Sequence, residues 1–169
     1  QIQVDELKVN TWLGVLWLGM VMQVCSRLWL GGAVGPSRNK VLLAQVFGWA
    51  QRVGKPGRLL VAVDGLNIYL EVIPAVFQSH WDWLKGRALG WSAVAIVQTM
   101  KQKGNRRGRI DRILVQGGER LVRELVSSSQ GHGWINTAYI ERLNATFRQR
   151  LSCLARRSRQ MTRQTDTLE

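Results

Sequence analysis

The run Leu59-Leu60-Val61-Ala62-Val63 is unbroken apolar sequence of strand length. A strand with one wet face alternates polar and apolar residues, whereas an unbroken run is accommodated only when both faces are covered. The chain must therefore supply layers on both sides of a sheet, which points to an α/β fold with helices flanking central strands. Asp64 stands at the C-terminal end of this run, the end at which open α/β sheets bind ligands. By itself, Asp64-Gly65 also reads as an ordinary turn dipeptide.

The remaining elements assemble around that strand. Ile2 to Val9 is rich in branched aliphatics and carries Asp5 and Glu6, so it reads either as a central strand presenting acids or as an edge strand with solvated charges. Because neighbouring strand residues point to opposite faces, Glu6 could substitute for Asp5 as a ligand if the strand faces the other way. Trp12–Met22 and Arg27–Val34 are two apolar runs a few residues apart and continue an antiparallel meander. Gly35-Pro36-Ser37 breaks the pattern. Ser37 is placed to cap a helix with Leu42, Val46, Trp49 and Val53 on its apolar side, ended by Gly54 and Pro56. Asn67 to Phe77 reads as helix as far as Pro74, Trp91 to Thr99 as a fifth strand, and Glu119 to Ser128 as a short helix burying Leu121, Val122 and Leu125. The segment Gln78–Gly90 has no clear period. Its Trp81, Trp83 and Lys85-Gly86-Arg87 suit either packing or a DNA-contacting loop.

The last strong helix signal is Asn136 to Arg150. Ile140, Leu143, Phe147, Leu151 and Leu154 recur three and four apart and form one apolar stripe. Asn136 suits the N-cap, with Ile135 and Ile140 as a hydrophobic staple. Glu141 does not belong to the stripe. Asn144 and Arg148 lie within roughly a quarter-turn of it, on a polar strip beside the buried face.

Taken together, Ile140-Glu141-Arg142-Leu143-Asn144-Ala145-Thr146-Phe147-Arg148, Val4-Asp5-Glu6 and Val63-Asp64-Gly65 resemble insertion-sequence transposases of the DDE class. The likeness runs from Ile2 to about Leu168, with the three acidic blocks in the family's order. It implies a ribonuclease H-like fold, a mixed five-stranded sheet flanked by helices, in which the first and fourth strands are central neighbours. It also implies that Asp5, Asp64 and Glu141 are the catalytic, metal-holding residues, that residues 1–169 form the catalytic core, and that the family's N-terminal DNA-binding region and C-terminal continuation lie outside this sequence. Crowded carboxylates require cations between them, and an all-oxygen donor set suits Mg²⁺ or Mn²⁺, with two ions expected for in-line phosphoryl transfer. The partners so implied are transposon ends and target DNA, bound by a homo-oligomer.

Charge points the same way. The chain carries a formal charge of +13, which favours a polyanionic partner. The excess is concentrated after residue 100, where Lys101, Lys103, Arg106, Arg107 and Arg109 crowd a Gly-containing stretch that reads as a backbone-phosphate patch or as a solvated hairpin tip. Arg142, Asn144 and Arg148 are candidates for DNA contacts nearer the acids. Arg156, Arg157, Arg159 and Arg163 extend the basic character beyond the last helix.

Other chemistries find little support. Cys25 and Cys153 have no zinc or disulfide spacing, and His80 and His132 have no partner spacing for metal or nucleophile chemistry. A reduced, cytoplasmic setting fits this cysteine usage, and the apolar run Trp12–Val24 is shorter than the roughly 20 residues a membrane helix needs. Two alternatives stand beside the transposase reading. One is a basic DNA-binding protein without activity, including an inactive transposase remnant. The other is a different ribonuclease H-like nuclease, which would cut DNA without joining it.

Overall fold

The computed structural model describes residues 1–12, 14–77, 80–82, 87–89, 91–101, 109–130 and 135–154. Three antiparallel strands open the chain: β1 (Ile2–Thr11), β2 (Gly14–Gln23) and β3 (Trp29–Gly35). They are followed by α1 (Lys40–Val53), β4 (Arg58–Asp64), α2 (Ile68–Phe77), and a small separate hairpin of β5 (His80–Asp82) and β6 (Arg87–Leu89). The chain then returns through β7 (Ala93–Lys101), β8 (Ile110–Gln116), α3 (Glu119–Gln130) and α4 (Ala138–Arg150), and a 3-10 turn covers Ser152–Leu154.

The main sheet is mixed and open, in the order β3-β2-β1-β4-β7-β8. β1 runs antiparallel to β2 along its whole length and parallel to β4, which in turn runs parallel to β7. Six strands form this sheet, where five were expected. The extra one is β8, which pairs antiparallel with β7 from Lys101↔Ile110 to Ile96↔Gln116. Its residues are exposed or half-buried throughout, so it lacks the apolar alternation that marks a strand in sequence. Arg109 and Arg112 therefore bracket the start of an edge strand. Lys101 closes β7, whereas Lys103, Arg106 and Arg107 lie outside the described residues.

Side-chain parity on the central strands separates two layers. On one face Ile2, Val4, Val61 and Val63 pack against Leu43, Val46, Phe47 and Ala50 of α1 and Tyr69, Val72, Ile73 and Phe77 of α2. Phe47 meets Tyr69 and Phe77 edge-on, at centroid distances of 6.1 and 5.9 Å. On the other face Leu7, Val9, Leu18 and Met20 meet Ile140 of α4, while Leu60, Ala62, Ala95 and Val97 meet Leu125 of α3. Leu59 to Val63 are all buried, as the unbroken run requires. Within the run Trp12–Val24, Gly14–Gln23 forms β2, and among the described residues no helix is long and apolar enough to cross a membrane.

Several local expectations are displaced by tertiary contacts. Asn39, not Ser37, caps α1: Leu42 N donates to Asn39 Oδ1 at 3.0 Å, and Asn39 Nδ2 donates to Ser37 Oγ at 2.7 Å. Trp49 and Val53 are exposed, and the buried side is formed by Leu42, Leu43, Val46, Phe47 and Ala50. Helix α2 does not stop at Pro74 but continues to Phe77. An internal proline costs about 3 kcal/mol, and burial of Ile73 and Phe77, at about 1.5–3 kcal/mol each, offsets it.

Helix α4 is capped at Thr137 rather than Asn136, although Asn136 Oδ1 still accepts from Ala138 N at 2.9 Å. Ile135 and Ile140 are both buried but fall in different clusters, so they do not form a staple. Leu151 is exposed because the helix has ended, and Leu154 reaches the core from the 3-10 turn.

Candidate active site

Residue parity and strand register bring the first two acids together. The β1–β4 ladder pairs Ile2↔Val61 and Gln3↔Ala62. Continuing that register sets Asp5 opposite Asp64, on the face covered by α4. The third acid arrives through the buried Gln3, which shares this face. Its Nε2 donates to Asn136 O at 2.5 Å and its Oε1 accepts from Ile140 N at 2.9 Å. Gln3 thus satisfies an N–H in the first turn of α4 and pins that end of the helix to β1.

One cavity of about 940 Å³ results, lined by Asp5, Glu6, Asp64, Thr99, Thr137, Glu141, Asn144 and Arg148 among others. All three predicted acids line it. Asn144 is buried and donates from Nδ2 to Asp5 Oδ2 at 2.7 Å, while Asp5 Oδ1 accepts from Glu6 N at 2.9 Å. Thr137 Oγ1 donates to Glu141 Oε1 at 2.7 Å and so orients that carboxylate. Asp64 Oδ1 accepts from Leu66 N at 3.0 Å, so Asp64-Gly65 is a turn and part of the site at once.

The tightest carboxylate group among the described residues is Asp5, Glu6 and Asp64. An oxygen from each lies within 4.8 Å of the others. Glu141 lines the same cavity outside this group. Glu6 points to the α1 and α2 side, as strand alternation dictates. There Tyr69 Oη donates to Glu6 Oε1 at 2.5 Å and Arg38 Nε donates to Glu6 Oε2 at 2.8 Å. Arg38 also reaches over the strand end, where its Nη2 donates to Asp64 Oδ2 at 2.8 Å.

The electrostatics follow from this crowding. Burial raises the Asp5 carboxyl to about 6; the Glu6 N–H pulls it down, and the charges of Glu6, Asp64 and Glu141 push it further up. Burial likewise raises Glu6, against the opposing pull of Tyr69 and Arg38. The Tyr69 hydroxyl is held well above its ordinary value by burial and by the neighbouring Glu6 charge. Burial works against the Arg38 charge, but Glu6 and Asp64 outweigh it and keep the guanidinium protonated.

The donor set fits a hard divalent cation. Its four carboxylates, Asp5, Glu6, Asp64 and Glu141, offer oxygen ligands; Arg38 pairs with Glu6 and Asp64, and Arg148 lines the same cavity. Asp5 and Asp64 with Glu141, or with Glu6, could hold such an ion.

The predicted nucleic-acid residues divide. Asn144 and Arg148 line the cavity, but Arg142 is exposed away from it. Arg109 is exposed and pairs with Asp111 at 3.1 Å. Gln3, Arg38, Tyr69 and Thr137 carry no signal in the sequence that would single them out. Arg38 sits in a turn beside a helix cap, and the Tyr69 hydroxyl is one polar atom in an apolar helix. No model of a known protein family matches this chain, and a search of characterised proteins finds none that matches it.

Proposed function

We propose that the chain is the catalytic core of a DDE transposase of the insertion-sequence type, with a ribonuclease H-like sheet to which β8 is an addition, and that it cuts and joins DNA strands with the help of divalent metal ions. One observation carries this reading. Asp5, Asp64 and Glu141, from three stretches far apart in the chain, line a single cavity at the junction of two parallel central strands and a covering helix. The order of the first five main-sheet elements, with β1 and β4 adjacent at the centre, supports the fold assignment.

Asp5, Asp64 and Glu141 would hold the Mg²⁺ or Mn²⁺. Two such ions, when bound, supply a Lewis-acid clamp that makes water or a 3′-hydroxyl a better nucleophile and stabilises the leaving oxygen. The protein's own groups orient the reaction. Asn144 fixes the Asp5 carboxylate, Thr137 fixes Glu141, and Asp64 is held by its own turn. Arg148 at the cavity wall is placed to meet a DNA phosphate, and the basic residues after residue 100 supply the wider backbone attraction.

The test is nicking of supercoiled plasmid and joining of a labelled 3′-hydroxyl oligonucleotide, with Mg²⁺, Mn²⁺ or EDTA. Wild type is expected to nick and join only with metal. Asp64→Asn and Glu141→Gln are expected to lose both activities while still binding duplex DNA. Nicking without joining would indicate a nuclease, and metal-independent or substitution-insensitive activity would refute the assigned site.

A further inference from the structure

We propose that Arg38 is a cation built into this site: it holds Asp64 when no divalent ion is bound there and competes with the ion for that carboxylate. The inference rests on the metal-dependent reading above. It begins from Glu6, the buried acid of the cluster that is not among the three residues to which that reading gives the ions.

Both oxygens of Glu6 are committed. Oε1 accepts from Tyr69 Oη at 2.5 Å, and Oε2 accepts from Arg38 Nε at 2.8 Å, with Arg38 Nη2 also 2.6 Å away. Tyr69 is fully buried and the Glu6 side chain has 0% exposure, so this end of the network is shielded from water. The other end is not. Arg38 Nη2 meets Asp64 Oδ2 at 2.8 Å, and the Asp64 side chain is 41% exposed. A planar guanidinium can bridge two carboxylates in this manner, whereas an ammonium presents a single point charge. A buried, hydrogen-bonded charge pair is costly to break, and an exposed one exchanges readily.

The Arg38–Glu6 contact is therefore the anchor and the Arg38–Asp64 contact the end that yields. Strand alternation explains the division of labour between adjacent acids. Asp5 faces the cavity as a candidate ligand, and Glu6 faces α2 as the holder of the tethered cation.

The sign of one substitution separates this role from a merely structural one. Mn²⁺ binding would be measured by titration calorimetry at pH 7.5 on the whole chain, for wild type, Arg38→Gln and the double variant Glu6→Gln/Arg38→Gln. Removing a competing positive charge a few ångströms from the ion is expected to tighten Mn²⁺ binding by about tenfold or more in Arg38→Gln. The double variant, which leaves no unpaired buried carboxylate at position 6, is expected to bind more tightly than wild type by a smaller factor. Should Arg38→Gln fail to fold, as judged by circular dichroism, the double variant decides alone.

Equal or weaker binding by Arg38→Gln would overturn the proposal, since a residue that merely positions Asp64 would behave that way. Weaker binding by the double variant would overturn it too, by making Glu6 a ligand. If wild type binds Mn²⁺ and the variants bind no tighter, only the role of Arg38 falls. If none of the three binds, the metal reading of the site falls with it.

Discussion

Replacing Asp5 by Asn should stabilise the metal-free protein at neutral pH. Burial and the neighbouring acids displace the Asp5 carboxyl from 3.8 to about 6, which corresponds to about 3 kcal/mol. The sign follows from proton uptake. Between these two values the folded protein holds a proton that the unfolded chain has released, so stability falls as pH rises through this window. The penalty is nearly absent below the lower value and complete above the upper one.

Asn cannot ionise and escapes this cost. Its carbonyl can keep the bond from Glu6 N, and its amide can donate to Asn144 Oδ1 if the Asn144 amide turns over. That oxygen is buried and has no hydrogen-bond partner among the described residues, so the turn replaces one unpaired atom by another. A gain of about 2–3 kcal/mol at pH 7.5 is expected, or roughly 5–10 °C in melting temperature for a domain of this size. Thermal melts in EDTA from pH 4 to pH 8 would measure it. The two proteins should be nearly equal at pH 4 and diverge as pH rises. Saturating Mn²⁺, at about 100 times its Kd, should return about 2.7 kcal/mol to wild type and less to the variant. A variant less stable than wild type at pH 7.5 in EDTA, or a difference that does not change with pH, would refute the account of crowded carboxylates.

Two further outcomes are expected. Phe47→Ala removes a fully buried ring in edge-on contact with Tyr69 and Phe77, and should cost about 3–5 kcal/mol in urea denaturation; a loss below about 1 kcal/mol would mean that the α1–α2 layer is loosely packed. Replacing Arg106, Arg107 and Arg109 together by Ala should lower the slope of log affinity against log salt for random duplex DNA by about two to three, with little change in melting temperature. An unchanged slope would place the phosphate contacts elsewhere.

The central elements could be read from the sequence because their signals are local. The unbroken run Leu59–Val63 demanded a strand covered on both faces, and the three- and four-residue spacing of Ile140, Leu143 and Phe147 demanded a docked helix; both are present. Local patterns failed where distant contacts outweighed them. Pro74 marks a helix end by propensity, yet burial of Ile73 and Phe77 carries α2 past it. Strand β8 has no apolar alternation, and its pairing with β7 alone makes it a strand.

The site divides in the same way. Three acidic blocks could be picked out as candidates, but no spacing in a linear chain says that Asp5 and Asp64 share a register. That depends on the parallel pairing of β1 with β4, which begins at Ile2↔Val61. Nor does the sequence reveal that Gln3 ties α4 to β1, or that Arg38 spans Glu6 and Asp64. Hydrophobic periodicity reports which face of an element is buried, because that depends on neighbours a few residues away. Which polar groups meet at the end of a sheet depends on how remote strands and helices dock, and only the tertiary structure decides it.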